Sequence, residues 1–288
     1  VEEAIRKLGY VPNMVAGSLA SARTRTVGVL VPTIANSIFA DTVQGLSDVL
    51  EPQGFSVILA QSGYDDRRED RMLAALLSRR PEAIIMVGAP VTAEGREMLR
   101  RARIPVVETW ELPETPVDAA VGFDNHAAGR VVGRHFVEAG RHRLVFVGGN
   151  DRRATQRWHG FVEAACQAGL AEPRRVLVEW QSGSRAGAAV LADTPDADAV
   201  FAANDAYAIG LLSALRAANR LGSGAGTTRP VAVVGLGDLE MGRLFSPTVS
   251  TIRIDGGAIG RAAAELALDP AKPRRIDLGF ELVLRESG

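Results

Sequence analysis

Short apolar runs alternate with longer amphipathic stretches through most of the chain. The runs Val27–Val31, Ser56–Ala60, Ala83–Val87, Val106–Glu108, Ala119–Phe123, Leu144–Gly148, Arg175–Glu179, Ala199–Ala202, Val231–Val234 and Val249–Ile254 predict strands. Several are apolar at consecutive positions rather than at every second one, as expected of strands covered on both faces. Helical periodicity marks Phe39–Glu51, Arg67–Ser78, Ala127–Ala139, Thr155–Ala168, Tyr207–Ala218 and Ala258–Leu268 between them. Such alternation predicts parallel sheets flanked by helices. Ten strands fit two sheets better than one, with breaks at Gly140 and near Ser250–Arg253. Arg275–Leu284 alternates apolar and polar residues and predicts one closing strand. Gly222–Thr228 predicts a surface loop.

The beginning of the chain has a different pattern. Leu8-Gly9-Tyr10 closes a helix, with Gly9 as C-cap. Pro12 breaks the chain, and Asn13 caps a short helix over Met14–Ser21. Arg23 and Arg25 then form a basic link to the first strand.

Composition is that of a globular chain with a real core: of 288 residues, 47% are apolar and 23% charged. Net charge is −1, so overall charge does not announce a nucleic-acid binder. No apolar run is long enough to span a bilayer, and no signal peptide is visible. The single cysteine, Cys166, excludes an internal disulfide and suits a cytoplasmic protein. Its helical, small-residue setting predicts a packed hydrophobe rather than a reactive thiol.

Enzyme chemistry has no foothold. The four histidines are scattered, with no metal-ligand spacing. Gly256-Gly257-Ala258-Ile259-Gly260 has the wrong spacing for a dinucleotide fingerprint. There is no nucleophile elbow and no Walker motif. Asp65, Asp66, Glu69 and Asp70 alternate with arginines and predict a solvated helix start. No cofactor and no metal are expected. Polar residues do stand where strands give way to helices, at Asp124-Asn125 and Asn204-Asp205. Asp124 and Asp205 are expected to cap the helices that follow.

The run from Lys7 to Pro32 resembles the headpiece-to-core junction of the lactose-repressor/galactose-repressor (LacI/GalR) family of bacterial transcription factors. Tyr10, Pro12, Asn13, Val15, Ala16, Leu19 and Gly28 carry that resemblance, which continues to the C-terminus. It implies an α/β fold of two Rossmann-like lobes, like type I periplasmic binding proteins, with an N-terminal hinge helix. Residues 1–25 would end a DNA-binding headpiece and form the hinge, 26–139 plus 253–269 the first lobe, and 140–252 plus 270–288 the second. A helix-turn-helix is expected ahead of Val1, so the chain is expected to be a fragment. At the hinge, Leu19 would wedge into the minor groove of operator DNA, with Asn13 and Ala16 beside it. The protein would act as a homodimer, without membrane contact.

The same resemblance implies an effector cleft between the lobes. Arg157, three residues before Gly160, matches an effector-binding arginine; its planar fork suits hydroxyl pairs or a carboxylate. Asn204 and Phe39 match pocket residues, Phe39 offering a ring face to a sugar. Asn36 and Ser37 lie on the adjoining loop, with Ser62 and Tyr64 at the same cleft edge. Trp158, next to Arg157 on the helix, is expected to be core. Two departures from the family pattern bear on the ligand. Gly237 stands where an acid is common, next to Asp238, and Ser182 stands where a stacking ring is common; Asp238 and Ser182 are still expected to contact the effector. A pocket so altered favours an anionic, open-chain sugar acid. The runs LAQSGYD, IPVVETWELPE, AVGFDN and VEWQSGS resemble the gluconate-utilisation repressor branch. The expected function is a transcriptional regulator, by family habit a repressor, not an enzyme. A periplasmic-type sugar receptor of the same fold is the alternative.

Overall fold

The computed structural model describes residues 24–35, 37–178, 183–221, 230–272 and 274–288. Asn13, Ala16, Leu19, Asn36, Ser182 and the Gly222–Thr228 loop lie outside the described residues. The first part of the chain runs β1 (Thr26–Val31), α1 (Ala40–Leu50), β2 (Ser56–Gln61), α2 (Asp66–Leu77), β3 (Ala83–Val87), α3 (Ala93–Ala102), β4 (Val106–Thr109) and β5 (Ala119–Gly122). It continues with α4 (Asn125–Glu138), β6 (Leu144–Gly148), α5 (Arg152–Gln167), β7 (Arg174–Leu177), α6 (Gly183–Asp193) and β8 (Ala199–Ala202). Then come α7 (Asp205–Ala217), β9 (Ala232–Leu236), α8 (Glu240–Leu244), β10 (Ser250–Arg253), α9 (Gly256–Leu268), β11 (Arg275–Asp277) and β12 (Glu281–Val283).

These strands form two six-stranded sheets, ordered β11-β5-β4-β3-β1-β2 and β12-β10-β9-β8-β6-β7. Pairing is parallel throughout except where β12 runs antiparallel to β10. Helices cover both faces, which is why β3 and β9 are buried at every position.

Three particulars differ from the sequence expectation. Arg275–Leu284 is not one strand. Arg275–Asp277 extends the first sheet beside β5, and Glu281–Val283 returns to the second. Between them Gly279 has φ +68°, and the Leu278 N–H donates to the Gly122 carbonyl at 2.9 Å. An alternating pattern specifies a strand but not its partner, so this split is invisible in the sequence. The chain also crosses between sheets earlier than Gly140, because α4 packs against α5 of the second sheet. Phe136 meets Phe161 edge-on there, ring centroids 6.1 Å apart. Glycines set the closeness of this helix pair. A Cβ on Gly160 would lie 1.9 Å from the His126 carbonyl oxygen, and one on Gly129 1.9 Å from that of Arg157. Cys166, expected to be packed, lies on the exposed side of α5.

Candidate ligand cleft

The carboxyl ends of the parallel strands from both sheets face one cleft of about 840 Å³. That is where open α/β sheets place ligands. Backbone turns after β1, β2, β3 and β4 form one wall. The N-terminal turns of α5 and α7 form the other.

Arg157 lines this cleft from α5 and is 7% exposed. Its Nη1 donates to Oδ1 of Asn125. Asn125 donates to the Trp110 carbonyl at 2.9 Å, and the Trp110 indole to Thr42 Oγ1 at 3.0 Å. A continuous hydrogen-bonded chain therefore ties the arginine to the opposite sheet. Burial lowers its pKa to about 10, opposed chiefly by the Asp151 carboxylate; the guanidinium stays cationic near neutrality. Its buried Nε has no hydrogen-bond partner among the described residues.

Phe39 also lines the cleft, edge-on to Trp110 at 5.2 Å. The Arg153 guanidinium sits over the Phe39 ring, 5.5 Å from its centroid. The ring face expected to meet a sugar is thus taken by a cation. Arg153 is buried, pairs with Asp151 at 3.6 Å, and keeps Nη1 without a hydrogen-bond partner among the described residues. Ser62 and Tyr64 reach the cleft edge as expected. Trp158 packs against Phe146 in the core at 5.9 Å.

Asn204 lines the cleft and caps α7, accepting the Tyr207 N–H at 2.9 Å. The cap is therefore Asn204, not Asp205 as its position suggested. Asp205 is buried and accepts from the Leu239 N–H and the Thr251 hydroxyl, each at 2.7 Å. Burial pushes its pKa up to about 6. Asp124 caps α4 as expected, accepting the Ala127 N–H at 2.9 Å.

Two expected site residues stand elsewhere. Ser37 is exposed on a short turn, outside the lining. Asp238 is also outside it, because three arginines hold its carboxylate: Arg285 at 2.6 Å, Arg253 at 2.8 Å and Arg243 at 3.8 Å. Burial raises its pKa, but the bonds from Arg253 and Arg285 outweigh that and hold it below the usual carboxylate value.

Among the cleft residues that the sequence did not mark are Glu69, Glu111 and Arg153. Glu69 is not a solvated helix-start acid. It is buried, accepts the Val91 N–H at 3.1 Å, and burial pushes its pKa up to about 7. Its signal was available, since it falls in phase with Leu73 and Leu76 on the inner face of α2. Glu111 is 1% exposed and accepts the Ala89 N–H. Its Oε2 lies 3.5 Å from Arg152 Nε on the facing wall. Among the described residues, no group of acids, histidines or cysteine is placed to hold a metal ion. Nor is any helix among them long and apolar enough to cross a membrane.

Over residues 24–277 the sequence matches the family described as periplasmic binding proteins and the sugar binding domain of the LacI family. The chain belongs to the LacI family of transcriptional regulators. It is 36% identical to the HTH-type transcriptional regulator GntR of Pseudomonas aeruginosa, over all of this chain and 85% of that protein. A LacI family transcriptional regulator from Silicibacter pomeroyi superposes with a TM-score of 0.81 at 35% identity, covering 91% of this chain and 98% of that one. GntR from Chromobacterium violaceum gives 0.80 at 30% identity with the same coverage. Membership makes the chain a regulator, not an enzyme, and the cleft lies within the residues that match the family's sugar binding domain.

Proposed function

We propose that the cleft takes an open-chain sugar acid of the gluconate type, and that its occupancy sets operator affinity. The observation that carries this reading is the pair of buried guanidinium groups on one turn of α5. Arg153 and Arg157 each keep a buried nitrogen without an acceptor among the described residues. Ligand carboxylate oxygens supply such acceptors, and charge-assisted bonds of this kind are worth roughly 1.5–3 kcal/mol each. A neutral pyranose offers the same nitrogens weaker acceptors and no charge. Asn204 and Ser62 at the margin suit the hydroxyls along the rest of the ligand.

On this reading the protein is a cytoplasmic repressor that works as a homodimer. A ligand bridging the two walls shifts the relative orientation of the lobes, and with it the spacing of two N-terminal hinges. Asn13 and Ala16 then approach operator DNA, and Leu19 wedges into its minor groove.

A thermal-shift panel of aldonates and neutral sugars tests the effector class. A ligand at about a hundred times its Kd stabilises the folded state by about 2.7 kcal/mol. Gluconate should raise the melting temperature by several degrees and glucose by less. A larger shift with the neutral sugar contradicts the proposal.

A further inference from the structure

Among the described residues the cleft wall carries a third buried polar atom without a hydrogen-bond partner, and this one is an acceptor: Oε2 of Glu111. The other Glu111 oxygen accepts the Ala89 N–H, which fixes the carboxylate in place. Arg152 faces Oε2 from the opposite wall, its Nε 3.5 Å away and making no hydrogen bond there. Arg152 is about half exposed, whereas Glu111 is 1% exposed. The arginine can therefore turn to solvent without desolvation cost. The glutamate cannot. A buried carboxylate oxygen lacking a donor is costly, so a donor entering the cleft gains more here than at a solvated acid.

That donor cannot be the ligand's own carboxylate group. A ligand carboxylate is repelled by Glu111 and drawn to Arg153 and Arg157, so its hydroxyl-bearing part is left to meet Oε2. The geometry points to Glu111 as a specificity-determining residue that accepts a ligand hydroxyl, displacing Arg152, while Arg153 and Arg157 hold the acid group. This rests on the sugar-acid reading and extends it. Arginines alone select for charge; arginines opposed by a buried carboxylate select for a hydroxylated acid, and in one orientation.

Calorimetric titration of the wild type, Glu111→Gln and Arg152→Ala with gluconate and with hexanoate separates the possibilities. Gln keeps an oxygen for the Ala89 N–H, and Arg152 is too exposed for its loss to threaten the fold. The wild type should prefer gluconate. Glu111→Gln should lose about tenfold or more in gluconate affinity, as expected for one bond to a charged acceptor. The same variant should bind hexanoate at least as well as the wild type, because a repulsive charge is gone. Arg152→Ala should bind gluconate as tightly as the wild type or more tightly. Undiminished gluconate binding by Glu111→Gln overturns the proposal. Equal losses in both variants also overturn it, since the two residues would then act only as a latch between the lobes. Wild-type protein that binds no sugar acid sinks the underlying effector reading, a result distinct from either of these.

Discussion

Glu108 is completely buried on β4, where Oε1 accepts the Val117 N–H at 2.8 Å and Oε2 has no hydrogen-bond partner among the described residues. Burial pushes its pKa from 4.5 to about 7. Between those values the folded chain binds more protons than the unfolded one. Its contribution to stability therefore falls as pH rises through that window and levels off above it. Glu108→Gln keeps the Oε1 acceptor and removes the charge. It should be more stable than the wild type at about pH 8, by on the order of 1–3 kcal/mol, with the gain largely lost at about pH 4. Thermal unfolding at both pH values checks this; a gain independent of pH would contradict the account. Position 237 makes a poorer probe of ligand charge. Gly237 has φ +128°, and a Cβ there would meet Ile38 Cδ1 at 3.1 Å, so Gly237→Asp strains the backbone whatever it does to the ligand. A residue's place in the cleft was readable in the sequence only where a motif marked it, as for Arg157 before Gly160. Glu111 carries no such mark. Its burial arises when the loop after β4 meets the loop after β3, which are distant in sequence.

At the scale of elements, the site depends on how closely α4 and α5 approach. Asn125 begins α4, Arg157 lies on α5, and their bond spans the contact that Gly129 and Gly160 permit. Gly160→Ala puts a methyl where the His126 carbonyl now sits and should force the helices apart. The expected cost is about 1–3 kcal/mol from overpacking, with weaker ligand binding because Arg157 loses its support. Denaturant unfolding and ligand titration of the same variant measure both; a loss of stability with unchanged affinity would show that the helix contact does not position Arg157. The alternation of strands and helices was legible because strands buried on both faces are continuous apolar runs. Strand ends were placed within a residue or two for the same reason. The partner of each strand was not legible, as Arg275–Asp277 and Glu281–Val283 show by joining different sheets. Glu69 was obscured by its neighbours: one acid on the inner face of α2 is lost among charges on the outer face.

For the whole molecule, the two sheets are joined by the segments after β5, after β10 and between β11 and β12. Such a joint lets the lobes reorient about the cleft without unfolding either. Hinges that act in pairs require a two-fold dimer, and sedimentation at roughly tens of micromolar should show one; a monomer there contradicts the paired-hinge account. In a chain carrying its DNA-binding headpiece, Leu19→Ala should reduce operator bending, because the minor-groove wedge is gone. The most direct test of the central claim is calorimetric titration of the wild type and Arg157→Ala with gluconate and glucose. The account predicts tighter binding of gluconate than of glucose by the wild type, and loss of gluconate binding in a folded Arg157→Ala variant. Wild-type affinity in that variant, or preference of the wild type for glucose, would contradict it.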